Sequence, residues 1–254
     1  MEKLAIVYFS GTGNTRYIAD KMKESIIKTN IQVDLINIEK NIINPNRYDY
    51  IIIGGPVYVE RYPEILLKYI EDNLSNYKGK CMMYSTQGAY GATPVFKHAI
   101  KRIRSLNISY YNYLIMPNNF YTFMLKRCSK DKEKKLIKTA SLKAQNMVLE
   151  FLNGKTSSYD SLNIRVYSAE IIYKLVYPFF RKLLMRNLEI DKNLCIKCGI
   201  CENSCPAKSL KFYPKLEIND DCTFCQRCIH NCPKNAFLYK GKPIIQYKPK
   251  FKEE

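Results

Sequence analysis

The sequence predicts an α/β protein in which a doubly wound, parallel five-stranded sheet is followed by a small α+β domain rich in cysteine. Three observations carry this. Short apolar runs alternate with helical patterns through residues 1–153, the signature of a parallel sheet covered on both faces. The chain has 254 residues and is 46% hydrophobic, enough for one medium domain and a small one. Eight of its ten cysteines fall between Cys195 and Cys232.

The elements follow in order. Lys3 to Phe9 is an apolar run of strand formers bounded by SGTGNT, and a helical pattern runs from Arg16 to Lys28. IQVDLINI, Ile31 to Ile38, reads as the second strand. YDYIIIGGPVY, Tyr48 to Tyr58, holds a continuous isoleucine run, which suits a strand buried on both faces. A helix near Glu64 to Asn73 precedes KCMMYSTQGAYG, a strand that ends in a glycine loop. A helix from Thr93 to Ser105, a strand from Ser109 to Met116 and a basic helix from Lys130 to Leu152 complete the domain at residue 153. Residues 154–186 read as a basic, amphipathic connection. It opens on the linker GKTSSYDS and continues as RVYSAEIIYKLVYPFFRKLLM, with Glu170, Lys174, Arg181 and Lys182 near one helical face. Charge interrupts that stretch too often for a bilayer span, and Pro178 is expected to kink it. Residues 187–254 form the cysteine domain.

In that domain Cys195, Cys198, Cys201 and Cys205 recur as Cys222, Cys225, Cys228 and Cys232, each shifted by 27 positions, and Pro206 recurs as Pro233. This is an internal duplication of one metal-binding unit. Three cysteines at two-residue spacing can hold three corners of an iron–sulfur cube, and the proline after the fourth turns its thiolate toward a second cluster. Two four-cysteine zinc sites are the competing reading, which leaves the triple spacing and both prolines unexplained. The segment from 187 to 240 resembles the bacterial two-cluster ferredoxin. That resemblance implies two [4Fe–4S] clusters, one on Cys195, Cys198, Cys201 and Cys232, the other on Cys222, Cys225, Cys228 and Cys205.

SGTGNT, Ser10 to Thr15, lies between the first strand and the first helix. Glycines, hydroxyls and backbone amides at a helix start make an anion site. Arg16 occupies the third glycine position of a dinucleotide fingerprint, and the GKS or GKT ending of a Walker loop is missing. A merely capped helix start is the alternative. GGPVY and STQGAYG end the third and fourth strands, so they share the carboxyl edge of the sheet with this loop, where ligands of such sheets bind. Residues 1–153 resemble a flavodoxin. The resemblance implies FMN, with Ser10, Gly11, Thr12, Gly13, Asn14 and Thr15 around its phosphate. It also implies Pro56, Val57 and Tyr58 on one side of the isoalloxazine, and Thr86, Gln87, Gly88, Tyr90 and Gly91 on the other. Tyr58 and Tyr90 are the candidate stacking residues, each equally readable as an exposed loop aromatic.

Both resemblances together make the chain similar to a flavodoxin–ferredoxin fusion. They imply an electron-transfer protein converting between the electron pairs of a flavin and the single electrons of clusters. A flavin-dependent reductase of a small molecule such as a quinone is the alternative, and no histidine or carboxylate stands at the three loops as a general acid or base.

The formal charge of +18 is unevenly spread: +5 over 1–120, +9 over 121–187 (14 basic against 5 acidic residues) and +4 over 188–254. The basic middle has three readings: a solvated helix face, a dock for an acidic redox protein or redox enzyme, or, less favoured, an anionic membrane surface. Nucleic acid is the least favoured partner and is not expected, since no recognised binding motif accompanies the charge. MEKLAIVYFSGTGNT has neither the charge nor the apolar length of a targeting segment, so the expected location is cytoplasmic, where clustered cysteines bind metal rather than form disulfides. Cys81 reads as a packed thiol and Cys128 as an inert loop thiol. His98 and His230 read as surface residues, with His230 able to hydrogen-bond toward a cluster.

Overall fold

The computed structural model describes residues 1–27, 29–88, 94–121, 127–157, 171, 175–212, 215–249 and 251. The chain divides into two compact units, Met1–Pro117 with Ser129–Ala169, and Asn118–Cys128 with Glu170–Glu254.

In the first unit the elements are β1 (Glu2–Tyr8), α1 (Asn14–Ile26), β2 (Ile31–Asn37), β3 (Tyr50–Pro56), α2 (Glu64–Leu74), β4 (Lys80–Gln87), α3 (Val95–Arg102), β5 (Asn107–Ile115) and α4 (Lys130–Leu152). All five strands are parallel, in the order β2-β1-β3-β4-β5. That is the flavodoxin-like winding, with its switch point between β1 and β3. The central strands are apolar at nearly every position because both faces are covered. Ala5, Val7, Ile51, Ile53, Cys81 and Met83 form one face of the core with Leu66, Ile70, Val95 and Phe96 of α2 and α3. Leu4, Ile6, Ile52, Met82 and Tyr84, at the alternate positions, are buried on the opposite face with Ile18 and Met22 of α1 and Val148 of α4. Helix α4 starts where Ser129 Oγ accepts the Lys132 amide at 3.3 Å, with Asp131 and Glu133 in the first turn. It buries Ile137, Ala140, Ala144, Met147, Val148 and Phe151, a stripe at helical spacing.

The second unit contains α5 (Tyr177–Arg186), β6 (Leu188–Ile190), α6 (Ile200–Asn203), β7 (Leu210–Lys211), β8 (Glu217–Ile218), α7 (Arg227–Asn231), β9 (Phe237–Tyr239) and β10 (Lys242–Pro243). Strands β10-β9-β6 form one antiparallel sheet and β7-β8 a hairpin. Its core is Leu188, Leu210, Ile229, Phe237 and Ile244. Pro178 sits in the first turn of α5, directly after the π-helical turn of Leu175 and Val176, and residues 172–174 of the stretch it is expected to kink lie outside the described residues. The duplication extends to the backbone. Positive φ recurs at the same 27-residue offset in Lys197 and Phe224, Gly199 and Gln226, and Lys208 and Asn235.

Candidate functional site

The first group of candidate residues lies on the carboxyl edge of the sheet. Phe9 leaves β1 with its amide on the Gly54 carbonyl at 3.1 Å, and the chain turns through Ser10–Gly13 into α1. Gly13 has φ 107°, a value L side chains rarely take, and it offers no side-chain cap to the helix. No acid occupies the first turn, so the amide end of α1 keeps its positive character. The Arg16 amide donates to Ser10 Oγ at 3.2 Å, closing the loop on itself.

Beneath this loop a chain of hydrogen bonds crosses the sheet. Thr15 Oγ1 lies 2.8 Å from Thr86 Oγ1, both buried; Tyr84 Oη donates to the Thr15 carbonyl at 3.0 Å, and Tyr62 Oη to the Tyr84 carbonyl at 2.8 Å. Burial holds the Tyr62 and Tyr84 phenols well above the ordinary tyrosine range, so both act as neutral donors. Asn14 Nδ2 reaches the Pro117 carbonyl at 3.1 Å, tying the loop to the end of β5. The Val57 amide donates to the Thr86 carbonyl at 3.0 Å, which joins the loop after β3 to that after β4.

Pro56, Val57 and Tyr58 are half-buried, Gln87 is buried and Gly88 is exposed. Tyr90 and Gly91 lie outside the described residues. After Tyr58 the chain turns through Val59 and Glu60, at φ 48° and 66°, and closes with Tyr58 and Arg61 exchanging backbone bonds. Sequence reasoning did not bring His98 here. Its half-buried ring has Nε2 3.0 Å from the Arg61 guanidinium, and the pairing spans 37 residues with no local signal. Cys81 is fully buried, and burial pushes its thiol up to about 12.

The cysteines surround two cavities in the second unit. One, of about 230 Å³, is lined by Cys195, Cys198, Cys201 and Cys232 with Ile190 and Phe237. The other, about 30 Å³, is lined by Cys205, Cys222, Cys225 and Cys228 with Leu188 and Phe224. Each draws three cysteines from one repeat and the fourth from the other. Backbone amides are aimed at the sulfurs: Ser209 to Cys205 at 3.4 Å, its repeat mate Ala236 to Cys232 at 3.3 Å, and Phe224 to Cys222 at 3.4 Å. Among the described residues no three Cys, His, Asp or Glu side chains converge to hold a single metal ion. Burial pushes the Cys225 thiol up to about 11, and raises Cys228, Cys222 and Cys201 as well. Such thiols become thiolates when a cation compensates the buried charge.

His230 is buried rather than on the surface, at 5% exposure. The Tyr247 amide donates to its Nδ1 at 3.0 Å, so its Nε2 carries the proton and donates to the Asn119 carbonyl at 2.8 Å. Asn119 belongs to a strap, Asn118 to Tyr121, that leaves the end of β5 and joins this unit. Within it the Phe120 ring lies edge-on to Phe224 at 5.7 Å, and Tyr121 packs against His230 and Tyr247.

Residues 5–104 match the family model of the flavodoxin domain, and residues 194–236 match that of the 4Fe-4S dicluster domain. The chain is a fusion of a flavodoxin domain and a 4Fe-4S dicluster domain. An uncharacterised protein of Methanocaldococcus jannaschii is 25% identical to the fusion over 110 residues, 37% of this chain and 44% of that protein. An uncharacterised polyferredoxin-like protein of the same organism is 48% identical over 31 residues, 12% of each. The matched regions therefore span less than half of either relative. Flavodoxin 1 from Bacillus cereus shares 17% identity at a TM-score of 0.43, covering 61% of the fusion and 100% of that chain. A flavodoxin domain and a 4Fe-4S dicluster domain thus stand on one chain, a pair that supports FMN and iron–sulfur clusters as cofactors.

Proposed function

We propose that the fusion holds one FMN and two [4Fe–4S] clusters and passes electrons between them, converting the electron pairs of the flavin into the single electrons of the clusters. The observation that carries the cluster count is the crossed lining: each cavity takes three cysteines from one repeat and one from the other. Cys195, Cys198, Cys201 and Cys232 would hold one cluster, and Cys222, Cys225, Cys228 and Cys205 the other, with the amides of Ser209, Phe224 and Ala236 donating to sulfur. Donors of this kind stabilise the more negative state of a sulfur-ligated cluster and so raise its potential.

On the flavin side, Ser10 to Thr15 would bind the phosphate at the uncapped start of α1, which supplies amides and no opposing carboxylate. Tyr84, through its bond to Thr15, fixes the height of that loop. Pro56, Val57 and Tyr58 would cover one side of the ring and Thr86 to Gly88 the other. Lys130, Lys132, Lys134, Lys135 and Lys138 of α4 are exposed and would dock an acidic redox protein, an association expected to weaken with salt.

Anaerobic reconstitution followed by iron, sulfide and flavin assay tests the reading. It requires about eight iron atoms and one FMN per chain, and FMN reduction through the clusters that stops when they are removed. Colourless, zinc-loaded protein would sink it.

A further inference from the structure

The cofactor sites leave one surface of the second unit unused. Ile171, Leu175, Val176, Phe179 and Leu183 are all exposed, Leu175 by 73% and Phe179 by 74%. Single exposed apolar residues are ordinary, but Leu175, Val176, Phe179 and Leu183, four within nine positions, make a patch. On α5, Phe179, Lys182, Leu183 and Arg186 follow one another at i, i+3, i+4 and i+7, so they share a face, and all four are exposed. The opposite face is the one that packs. Leu184 is buried, Tyr177 Oη donates to the Thr223 carbonyl at 3.4 Å, and Asp220 lies 4.0 Å from Arg181 and 3.6 Å from the exposed Lys182 at the edge of that face. The apolar face is therefore turned outward by the contacts that hold the helix.

We propose that this face of α5 binds an anionic phospholipid surface and makes the fusion a peripheral membrane protein. Three features select that occupant over an acidic protein. Between 161 and 187 Glu170 is the sole acid, against Arg165, Lys174, Arg181, Lys182 and Arg186, so the segment complements negative headgroups. The same stretch carries Tyr167, Tyr173, Tyr177, Phe179 and Phe180, the amphipathic and aromatic composition that settles at the lipid–water boundary. Arg186 stands beside Leu183, and Lys182, exposed and within 3.6 Å of Asp220, borders the same face beside Phe179. A membrane accepts both at once, the apolar groups among the acyl chains and the long basic stems reaching back to headgroups, without any matched groove. Among the described residues no helix is long and apolar enough to cross a membrane; the contact proposed is one of lying on the surface. The Tyr177–Thr223 bond ties the helix to the residue after Cys222, and the bound surface would lie beside the second cysteine cavity.

The full chain, loaded with its cofactors under anaerobic conditions, is sedimented with vesicles of phosphatidylglycerol and phosphatidylcholine, and with phosphatidylcholine alone. The chain has no tryptophan, so Phe179→Trp introduces a single reporter at the centre of the patch. The proposal requires binding to the anionic vesicles, a blue shift of that indole on binding, and weak association with the neutral ones. The double change Lys182→Gln/Arg186→Gln should weaken binding by about 30-fold, from about 1 kcal/mol for each cation near an anionic surface. Phe179→Asp/Leu183→Asp should abolish it while the cluster absorbance stays intact, since both side chains are exposed. Equal binding to both vesicle types, or anionic binding that survives the aspartates, overturns the proposal. So does a failure to bind together with a concentration-dependent dimer that the aspartates disperse, which would assign the face to a second copy of this chain.

Discussion

Gly54→Ala is the sharpest test of how the sheet positions the phosphate loop. A Cβ built at Gly54 would lie 2.1 Å from Tyr84 Cζ, 2.2 Å from Cε1 and 2.3 Å from Oη, well inside any real carbon contact. The ring cannot yield freely: Tyr84 is fully buried and its Oη holds the Thr15 carbonyl at 3.0 Å. Moving the ring by the ångström or more that the methyl needs is an overpacking change, worth about 1–3 kcal/mol. The same movement breaks the bond to Thr15, adding about 1 kcal/mol. Gly54→Ala should therefore destabilise the flavodoxin unit by about 2–4 kcal/mol in urea titrations followed by circular dichroism. FMN affinity should fall with it, because the displaced carbonyl belongs to the loop. Truncating the ring first separates the two effects: in a Tyr84→Leu background the alanine should cost under about 1 kcal/mol, a coupling a double-mutant cycle measures directly. If the alanine is neutral within about 0.5 kcal/mol, or costs the same with and without the ring, Tyr84 is not the obstacle and this account of the loop's support is wrong.

The crossed ligation predicts that Cys205→Ser disturbs the cluster of Cys222, Cys225 and Cys228, and that Cys232→Ser disturbs the one on Cys195, Cys198 and Cys201. Electron paramagnetic resonance of the reduced proteins should assign each loss, and damage confined to the mutated repeat would refute the crossing. His230→Leu removes the partners of the Tyr247 amide and the Asn119 carbonyl, costing about 2–3 kcal/mol. It should bleach the clusters at lower urea while FMN release stays unchanged. Arg102 donates to both Glu64 and Glu71, and its hydrogen bonds hold the Glu71 carboxyl below the usual carboxylate range. A depressed carboxyl stabilises the fold above its unfolded value of about 4.3 and ceases to do so as pH falls through the folded one. Arg102→Ala should flatten that acid limb in a pH series of thermal midpoints, with at most about 1 kcal/mol lost at neutral pH because the pairs are partly exposed.

What the sequence displayed and what it hid divide along a physical line. Strand and helix positions and the cysteine repeat were legible because each is written locally, periodicity for the elements and 27-residue spacing for the repeat, whereas the strand order β2-β1-β3-β4-β5 is set by pairings that no local pattern carries. Helix α4 runs from Lys130 to Leu152 as its pattern predicts, and α3 is shorter than expected, Val95–Arg102. The strap at Asn118 to Tyr121 was invisible because its partners are remote. His230 is 111 residues from Asn119, and the acceptor is a backbone carbonyl, which every residue possesses. The same reasoning explains why His230 reads as a surface residue in sequence: a buried imidazole is recognised by the two groups that satisfy it, and neither is near in the chain.

The backbone of the cysteine unit shows what its cofactors must do for its folding. Five non-glycine residues of the repeats, Lys197, Lys208, Phe224, Gln226 and Asn235, take φ between 49° and 61°. Left-handed backbone costs an L residue about 1–2 kcal/mol each, and the repetition of these values in both copies ties them to the shared task of turning the chain around the cysteines. Around them sit thiols whose ionisation burial opposes, notably Cys225 and Cys228. The hydrophobic core that must offset this is small, five buried residues with partly buried neighbours. A unit with so little core and so much local strain is in the size range where metal binding becomes folding energy. The strap is the chain's own contribution to the same end: Phe120 against Phe224, and the Asn119 carbonyl accepting from His230, add apolar surface and one satisfied hydrogen bond around the second cavity. A fragment beginning at Glu170 would lack those residues while retaining all eight cysteines of the repeats. Reconstituted anaerobically, it should lose the cluster of Cys222, Cys225, Cys228 and Cys205 faster than the full chain does. Equal lifetimes in fragment and full chain would show that the strap is incidental to the cofactor it borders.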